Sequence, residues 1–426
     1  MELRRPSTRL TFRGIALGSL PIAAGLLFSG GDASAQEALQ SAVEGDRNLT
    51  TRIQQSGSEI DAPFKMGPVS MTAGVSLDLA FTDNANYSGV DPQNDLIITP
   101  TFNFTLFYPV TDTSRLSFGV GIGYSFYVNQ SREDQLNLTP NSNLAYDFRA
   151  GQALVTLYDT FSYSSDALNQ GDLVNRSNYG GINNTAGIRT IYSPEPMYVE
   201  GGYSHYNFWS TQSNAFNDLT RASEQVFLRT GYIIAQDTRT GVETSGSYIH
   251  YDQPIRSNLY QLSVGPYIEW QITQAWTLSG RVGWSWTEFE QNGFLPAPDD
   301  ISVPYLGLDV SHQFTENFRH SFSAVREVQV GVETQILQTL TFNYGLNWQL
   351  TDLIAFGAGA YYQIGEQPNV IDTENYDYYG FNVGFPFSIT DRFTTSLSYV
   401  YRNRTSNIQT RNYDVNTVTL SMNYSF

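Results

Sequence analysis

The sequence predicts an all-β protein: a closed antiparallel transmembrane β-barrel of about 18 strands, with 16 as the alternative count. Three observations carry this prediction. Apolar and polar residues alternate along most of the chain, short turns recur at a regular spacing, and charge is too sparse for a water-covered surface. Hydrophobic residues make up 41% of the chain and charged residues 15%, against about 25% charged in ordinary globular domains. No segment after the N-terminus offers a long unbroken apolar run, so strands rather than helices must do any crossing.

The first element is "MELRRPSTRLTFRGIALGSLPIAAGLLFSGGDASA", with Arg4, Arg5, Arg9 and Arg13 ahead of a short apolar run and Ala33-Ser34-Ala35 at its end. This is the pattern of a secretory signal peptide over residues 1–35, removed after export through the Sec pathway. The apolar run falls short of the roughly 20 residues that a spanning helix needs. Loss of the four arginines, Glu2 and Asp32 leaves 19 basic and 39 acidic residues, a net of −20. So acidic a chain is a poor partner for nucleic acid. Cysteine is absent, which excludes disulfides and thiolate metal sites. Residues 36–66 are polar and are expected to form a periplasmic segment, too short for a plug domain.

The barrel itself is expected over residues 67–426. In "TLTFNYGLNWQLTDLIAFGAGAYYQIG", Leu340, Phe342, Tyr344, Leu346, Trp348 and Leu350 alternate with small polar residues. After Thr351-Asp352 come Ile354, Phe356, Ala358, Ala360 and Tyr362. Strand side chains point to alternate faces, so this is a hairpin with one apolar face. Similar tight connections recur at eight places, among them "YPVTDTSRLSF", "YDFRAGQALV", "WQITQAWTL" and "FSITDRFTT", separated by nine longer polar loops. Seventeen connections give 18 strands from Val69 to Phe426. Short turns at one rim and long loops at the other is the arrangement of bacterial outer-membrane barrels.

Aromatic residues gather beside the short turns: Tyr108, Tyr146, Phe148, Tyr192, Trp270, Trp276, Phe314, Trp348, Phe387, Phe393, Tyr424 and Phe426. They read as the periplasmic girdle. Asp159 and Arg326 fall on the lipid face by strict alternation, so a bulge, a register change or a rim position is expected at each.

With its outward apolar faces and terminal aromatic strand, the chain resembles an outer-membrane β-barrel porin. Phe81, Asp83, Asn84, Asp95 and Pro100, within "VSLDLAFTDNANYSGVDPQNDLIITPTFNFTLFYP", resemble the opening of the β-barrel porin 2 family. That family supplies no catalytic residues. The resemblance implies a passive channel for small hydrophilic solutes or ions, lodged among outer-membrane lipids, with a homo-oligomer as one arrangement. The alternatives are a sugar-selective channel, a component of polysaccharide export and, more remotely, a barrel enzyme. The ending "TVTLSMNYSF" resembles the signal read by outer-membrane assembly machinery, with Tyr424 and Phe426 as its aromatics. Phe426→Lys and Phe426→Ala are expected to lower outer-membrane levels in cells, while protein refolded in detergent keeps its heat-modifiable barrel. The bilayer cost near an interface is only about 0–1 kcal/mol, so equal accumulation of both variants would remove the assembly role.

Function must lie on the inner face. Alternation places Asp78, Asp147, Arg189, Glu200, Arg229, Glu243, Glu269, Arg281, Asp309, Arg319 and Glu327 there. Arg189, Glu200, Arg229, Glu243, Glu269 and Arg281 fall on six consecutive strands at similar heights. Two readings are open: a charged constriction that sets ion preference, or a cross-strand ion-pair ladder that stiffens the wall. Phe227, Tyr251, Tyr267, Tyr305, Tyr361 and Tyr378 are lumen aromatics, suited to sugar stacking or to plain wall packing. Asp83, Asn84, Asp91 and Asp95 lack the glycine and final glutamate of a calcium loop. His205, His250, His312 and His320 stand isolated in sequence, and no hydrolase or phosphate-loop motif is present, so neither catalysis nor a cofactor is expected.

Overall fold

The computed structural model describes residues 63–426, apart from 139–141, 167–173, 175–177, 212–216, 236, 292–293, 295–296, 332–333 and 369–372. The signal peptide expected over residues 1–35 and most of the segment expected over 36–66 lie outside the described residues.

A short strand β1 (Phe64–Met66) precedes the wall. Then follow β2 (Val69–Thr82), β3 (Asp95–Thr111), β4 (Ser114–Tyr127), β5 (Gln135–Leu138), β6 (Asn143–Ala150), β7 (Ala153–Asp166), β8 (Asn178–Tyr192) and β9 (Met197–Ser210). The ring continues through β10 (Arg221–Ala235), β11 (Thr238–Tyr251), β12 (Leu259–Gln271), β13 (Trp276–Phe289), β14 (Ile301–Thr315) and β15 (Phe318–Gln329). It ends with β16 (Leu337–Gln349), β17 (Ala355–Gln367), β18 (Glu374–Thr390), β19 (Phe393–Ser406) and β20 (Tyr413–Ser425). β5 and β6 share one place between β4 and β7. Eighteen wall positions therefore close on themselves, because β2 pairs with β20 from Gly74↔Ser425 to Thr82↔Thr417. The N–H of Phe426 extends that seam by donating to the Ala73 carbonyl at 3.0 Å.

Closure satisfies the backbone that hydrocarbon cannot. It also sends alternate side chains outward, and Val242, Leu262, Val282 and Leu397 remain about half exposed. Among the described residues no helix is long and apolar enough to cross a membrane. Met66 to Phe64 fold back along Val69 to Met71, so the end of the polar N-terminal segment joins the wall as a small hairpin.

The residues Asp83, Asn84 and Asp95 latch loops around this seam. Asp83 accepts from the backbone N–H of Asn416 at 2.8 Å and from its side-chain amide at 2.7 Å. Asn84 donates to the carbonyls of Ser88 and Asp414. Asp95, fully buried, accepts the N–H groups of Asn129 and Gln130 from the next long loop. Their oxygens are thus occupied by the protein's own donors.

Of the two outward charges, Asp159 departs from expectation and Arg326 meets it with a position near a rim. Asp159 has neither bulge nor register shift beside it, since β7 pairs evenly with β8 from Ala153 to Ser164. It points outward, held by the Asn184 amide at 2.7 Å. Arg326 is an exposed outward residue eight positions above the start of β15, near the long-loop rim. The histidines are also less isolated than their spacing suggests: His312 and His320 sit opposite each other, ring nitrogens 3.0 Å apart. His312 stacks on Trp276 at 3.9 Å within a girdle that includes Phe314, Phe318 and Trp348.

Candidate functional site in the lumen

The inward residues of β8 to β13 carry a connected ladder. Glu200, Arg229 and Glu243 are direct neighbours on β9, β10 and β11. Arg189 on β8 donates to Glu200 from Nε at 2.7 Å, and the Tyr198 hydroxyl donates to the other oxygen at 2.5 Å. Arg229 lies 3.9 Å from Glu200, 3.4 Å from Glu243 and 3.0 Å from Glu269. Arg239 completes the run at 2.9 Å from Glu269. Arg239 was not among the residues expected here; its direct pairing with Glu269 follows from strand register.

Three guanidinium groups and three carboxylates balance. They are also flattened against the wall, because Arg229 lies over the Tyr267 ring at 4.3 Å and Arg239 over Tyr198 at 4.1 Å. Arg281, next along, makes no ion pair within 4 Å among the described residues and leans across Gly307 instead. A Cβ on that glycine would sit 2.2 Å from the Arg281 Nε.

Tyr305 explains two further glycines. Its hydroxyl donates to Glu243 at 3.2 Å, three strands away, and its ring crosses Gly283 and Gly265 to get there. A Cβ on Gly283 would meet the ring at 2.5 Å, and one on Gly265 would meet the hydroxyl at 2.6 Å. The alternation of glycine and tyrosine thus lets a long side chain lie along the wall rather than stand into the lumen.

The lumen aromatics fall into separate groups. Tyr267 and Tyr305 belong to the ladder, and Phe227 covers Gly202 of β9. Tyr251 packs with Ile249, Leu259, Phe289 and Ile336 near the long-loop rim. Tyr361 and Tyr378 join Tyr376, Tyr413, Val415 and Leu337 in a second apolar cluster. All five tyrosines are buried, so they do not form one exposed path for sugar rings.

That second cluster crosses the lumen. It also contains Phe208 from β9, Tyr87 and Leu219 from long loops, and Val174 from the connection after β7. β9 and β18 stand nine places apart in the ring of 18, on opposite walls. Beside the cluster, Arg404 is fully buried on Glu374 at 2.9 Å, over the Tyr376 ring, and Arg411 pairs with the other Glu374 oxygen at 2.9 Å. Arg256 ties three loops together: it pairs with Asp218 at 2.7 Å and donates to the carbonyls of Gly331 and Thr334. The long-loop half of the interior is therefore narrowed by packed, tied side chains. The Arg189-to-Arg281 ladder lines the wall below.

Asp78, Asp309 and Arg319 are inward elsewhere on the ring, and Arg319 donates to Ser311 at 2.9 Å. Asp147 takes the Thr156 hydroxyl at 2.6 Å and faces Arg115 at 3.7 Å. Glu327 accepts from Gln329 at 2.7 Å. Arg319, Asp147 and Glu327 are thus tied into the wall locally, apart from the ladder.

No family model and no curated protein matches the chain, so the likeness to the β-barrel porin 2 family rests on the quoted residues alone. Solved structures do match in shape. A BenF-like porin from Pseudomonas fluorescens Pf-5 shares 10% identity, with 84% of this chain and 99% of that chain covered at a TM-score of 0.50. OccAB3 of Acinetobacter baumannii gives 10% identity, the same coverages and a TM-score of 0.48. OccK9 (OpdG) of Pseudomonas aeruginosa gives 11%, 84% and 98%, and 0.48. The first of these shows the fold, that of an outer-membrane porin barrel.

Proposed function

We propose that this barrel is a passive channel of the outer membrane of a Gram-negative-type bacterium, carrying small hydrophilic solutes and ions. The observation that supports this best is the closed 18-position wall with an apolar outer face and a polar, ion-paired inner face. Barrels of 16 to 18 strands leave an aqueous interior. Here the balanced ladder sets a nearly neutral lower lumen, and the apolar crossing above it limits the bore. The six ladder residues act as wall and field together, and Arg281 is the member of that set with no ion pair within 4 Å among the described residues. Outer-membrane lipid and the assembly machinery are its partners in this reading. A conduit for an acidic polysaccharide fits poorly, since a polyanion needs an excess of inward positive charge.

Planar-bilayer recordings of the purified mature protein should show discrete steps, and proteoliposomes should swell in small sugars. A barrel that neither conducts nor swells would be a structural or enzymatic one. Mild cation preference is expected from the acidic chain and should fade as salt screens the mouth. Arg281→Ser should increase that preference in reversal-potential measurements across a KCl gradient. An unchanged potential would place Arg281 outside the ion path.

A further inference from the structure

The outward face is not uniformly greasy. One row of direct cross-strand neighbours runs Asp159, Ala186, His205, Glu224 across β7, β8, β9 and β10. Asn184 stands beside Asp159, and the Tyr203 hydroxyl donates to Glu224. The His205 Nδ1 lies 2.8 Å from Glu224. The row continues through Tyr248 and Tyr260 to Glu288, whereas Phe322, Leu397 and Leu420 on other strands are exposed and apolar.

Asp159 is six residues above the start of β7, or about 15 Å at roughly 3.3 Å per residue and 40° of tilt. That is mid-height in an apolar band of about 25 Å. Its Oδ2 accepts nothing among the described residues, and the Asn184 amide is shared between Asp159 Oδ1 and the Thr160 carbonyl. Acyl chains offer no donor at that depth, so a protein surface that brings one is the fitting cover.

We infer that this face is a homodimer interface, with a second copy of the chain packed against β7 to β10 about a two-fold axis through Ala186. The order of residues is what selects a second copy. Acid, small residue and base succeed one another, with Ala186 midway between Asp159 and His205. Two copies inserted the same way up can be related only by an axis along the membrane normal, which exchanges left and right flanks at equal height. Such an axis sets Asp159 of each copy before His205 of the other, where Nε2 is the donor left once the Tyr203 hydroxyl and His205 Nδ1 are both on Glu224. The heights suit this: Asp159 is six residues above its short turn, Tyr203 six and His205 eight. Ala186 at the axis allows the two backbones to approach.

The chain has no cysteine, so a single Ala186→Cys reports on its own mate. Oxidation of outer-membrane vesicles should convert most of that variant to a disulfide-linked dimer, whereas Leu420→Cys, on the far outer face, should stay monomeric. Native mass spectrometry of the unmodified chain should show the dimer. Asp159→His should lower the dimer fraction at least threefold, and adding His205→Asp should restore it. Heat-modifiability of each variant verifies that the barrel has formed. The inference is overturned if Ala186→Cys cross-links no more than Leu420→Cys, cross-links to a different protein, or if the unmodified chain is monomeric. Conductance is not part of this readout, so a silent but dimeric barrel would count against the channel alone.

Discussion

Truncating the lumen crossing, by Val174→Gly together with Leu219→Ala, is expected at least to double the unitary conductance in planar bilayers. Val174 and Leu219 come from loops, yet both are buried in the cluster that joins Phe208 on one wall to Tyr376 and Tyr413 on the other. Removing their side chains takes away the apolar bridge while leaving every wall hydrogen bond intact. Large-to-small changes in a packed cluster cost about 2–5 kcal/mol each. A loop cluster has few other contacts to offset such a loss. The wall should hold and the crossing should part. Heat-modifiability should be unchanged, which separates this outcome from global damage. An unaltered conductance would mean that ions bypass the cluster.

Glu200→Gln should produce the largest change in the lower lumen. Glu200 is fully buried between Arg189 and Arg229, which are themselves nearly so. Removing one partner from a buried ion pair typically costs about 3–5 kcal/mol, because the remaining charge keeps its desolvation without compensation. The urea midpoint of the refolded barrel should fall accordingly. The balance of three cations against three anions is lost as well, so reversal potentials should move toward anions. Glu269→Gln is the useful comparison. Glu269 is about a quarter exposed, so water can replace part of what Arg229 and Arg239 lose, and its stability loss should be smaller. A parental reversal potential in Glu200→Gln would put the ladder outside the conducting path.

Much of the wall was legible because a strand repeats every two residues and one face of nearly every strand had to be apolar. That rule placed both the eight short turns and the inward set from Arg189 to Arg281. It also put Asp159 outward, where the structure finds it; the bulge or register shift expected there is absent, and the Asn184 amide on the neighbouring strand holds the carboxylate instead. Arg239 shares the inward parity of Glu243 on β11 but stands one residue from the short turn, below the heights at which the other ladder residues lie. His312 and His320 were legible only through hairpin register, being equidistant from Glu316 at the turn. The lumen crossing had no such signal. Val174, Tyr87 and Phe208 come together through the paths of loops, which carry no periodicity, and through the ring closure that brings opposite walls to face each other.

Ring closure also governs how the chain can reach this state. Seventeen of the 18 wall junctions join strands that are neighbours along the chain, whereas Asp83 and Asn416 meet across 333 residues. Closing a flexible loop of that length costs about 5 kcal/mol by the logarithmic scaling of loop entropy, and it falls on a single junction. Hairpins can therefore assemble in any order, but no partial set of them is a barrel. Until β20 meets β2 the sheet keeps two open edges of 13 and 14 residues, each a template for pairing with another chain. The Asp83–Asn416 latch acts at the last moment of assembly, and it turns a sheet able to polymerise into a ring with no edge left to extend.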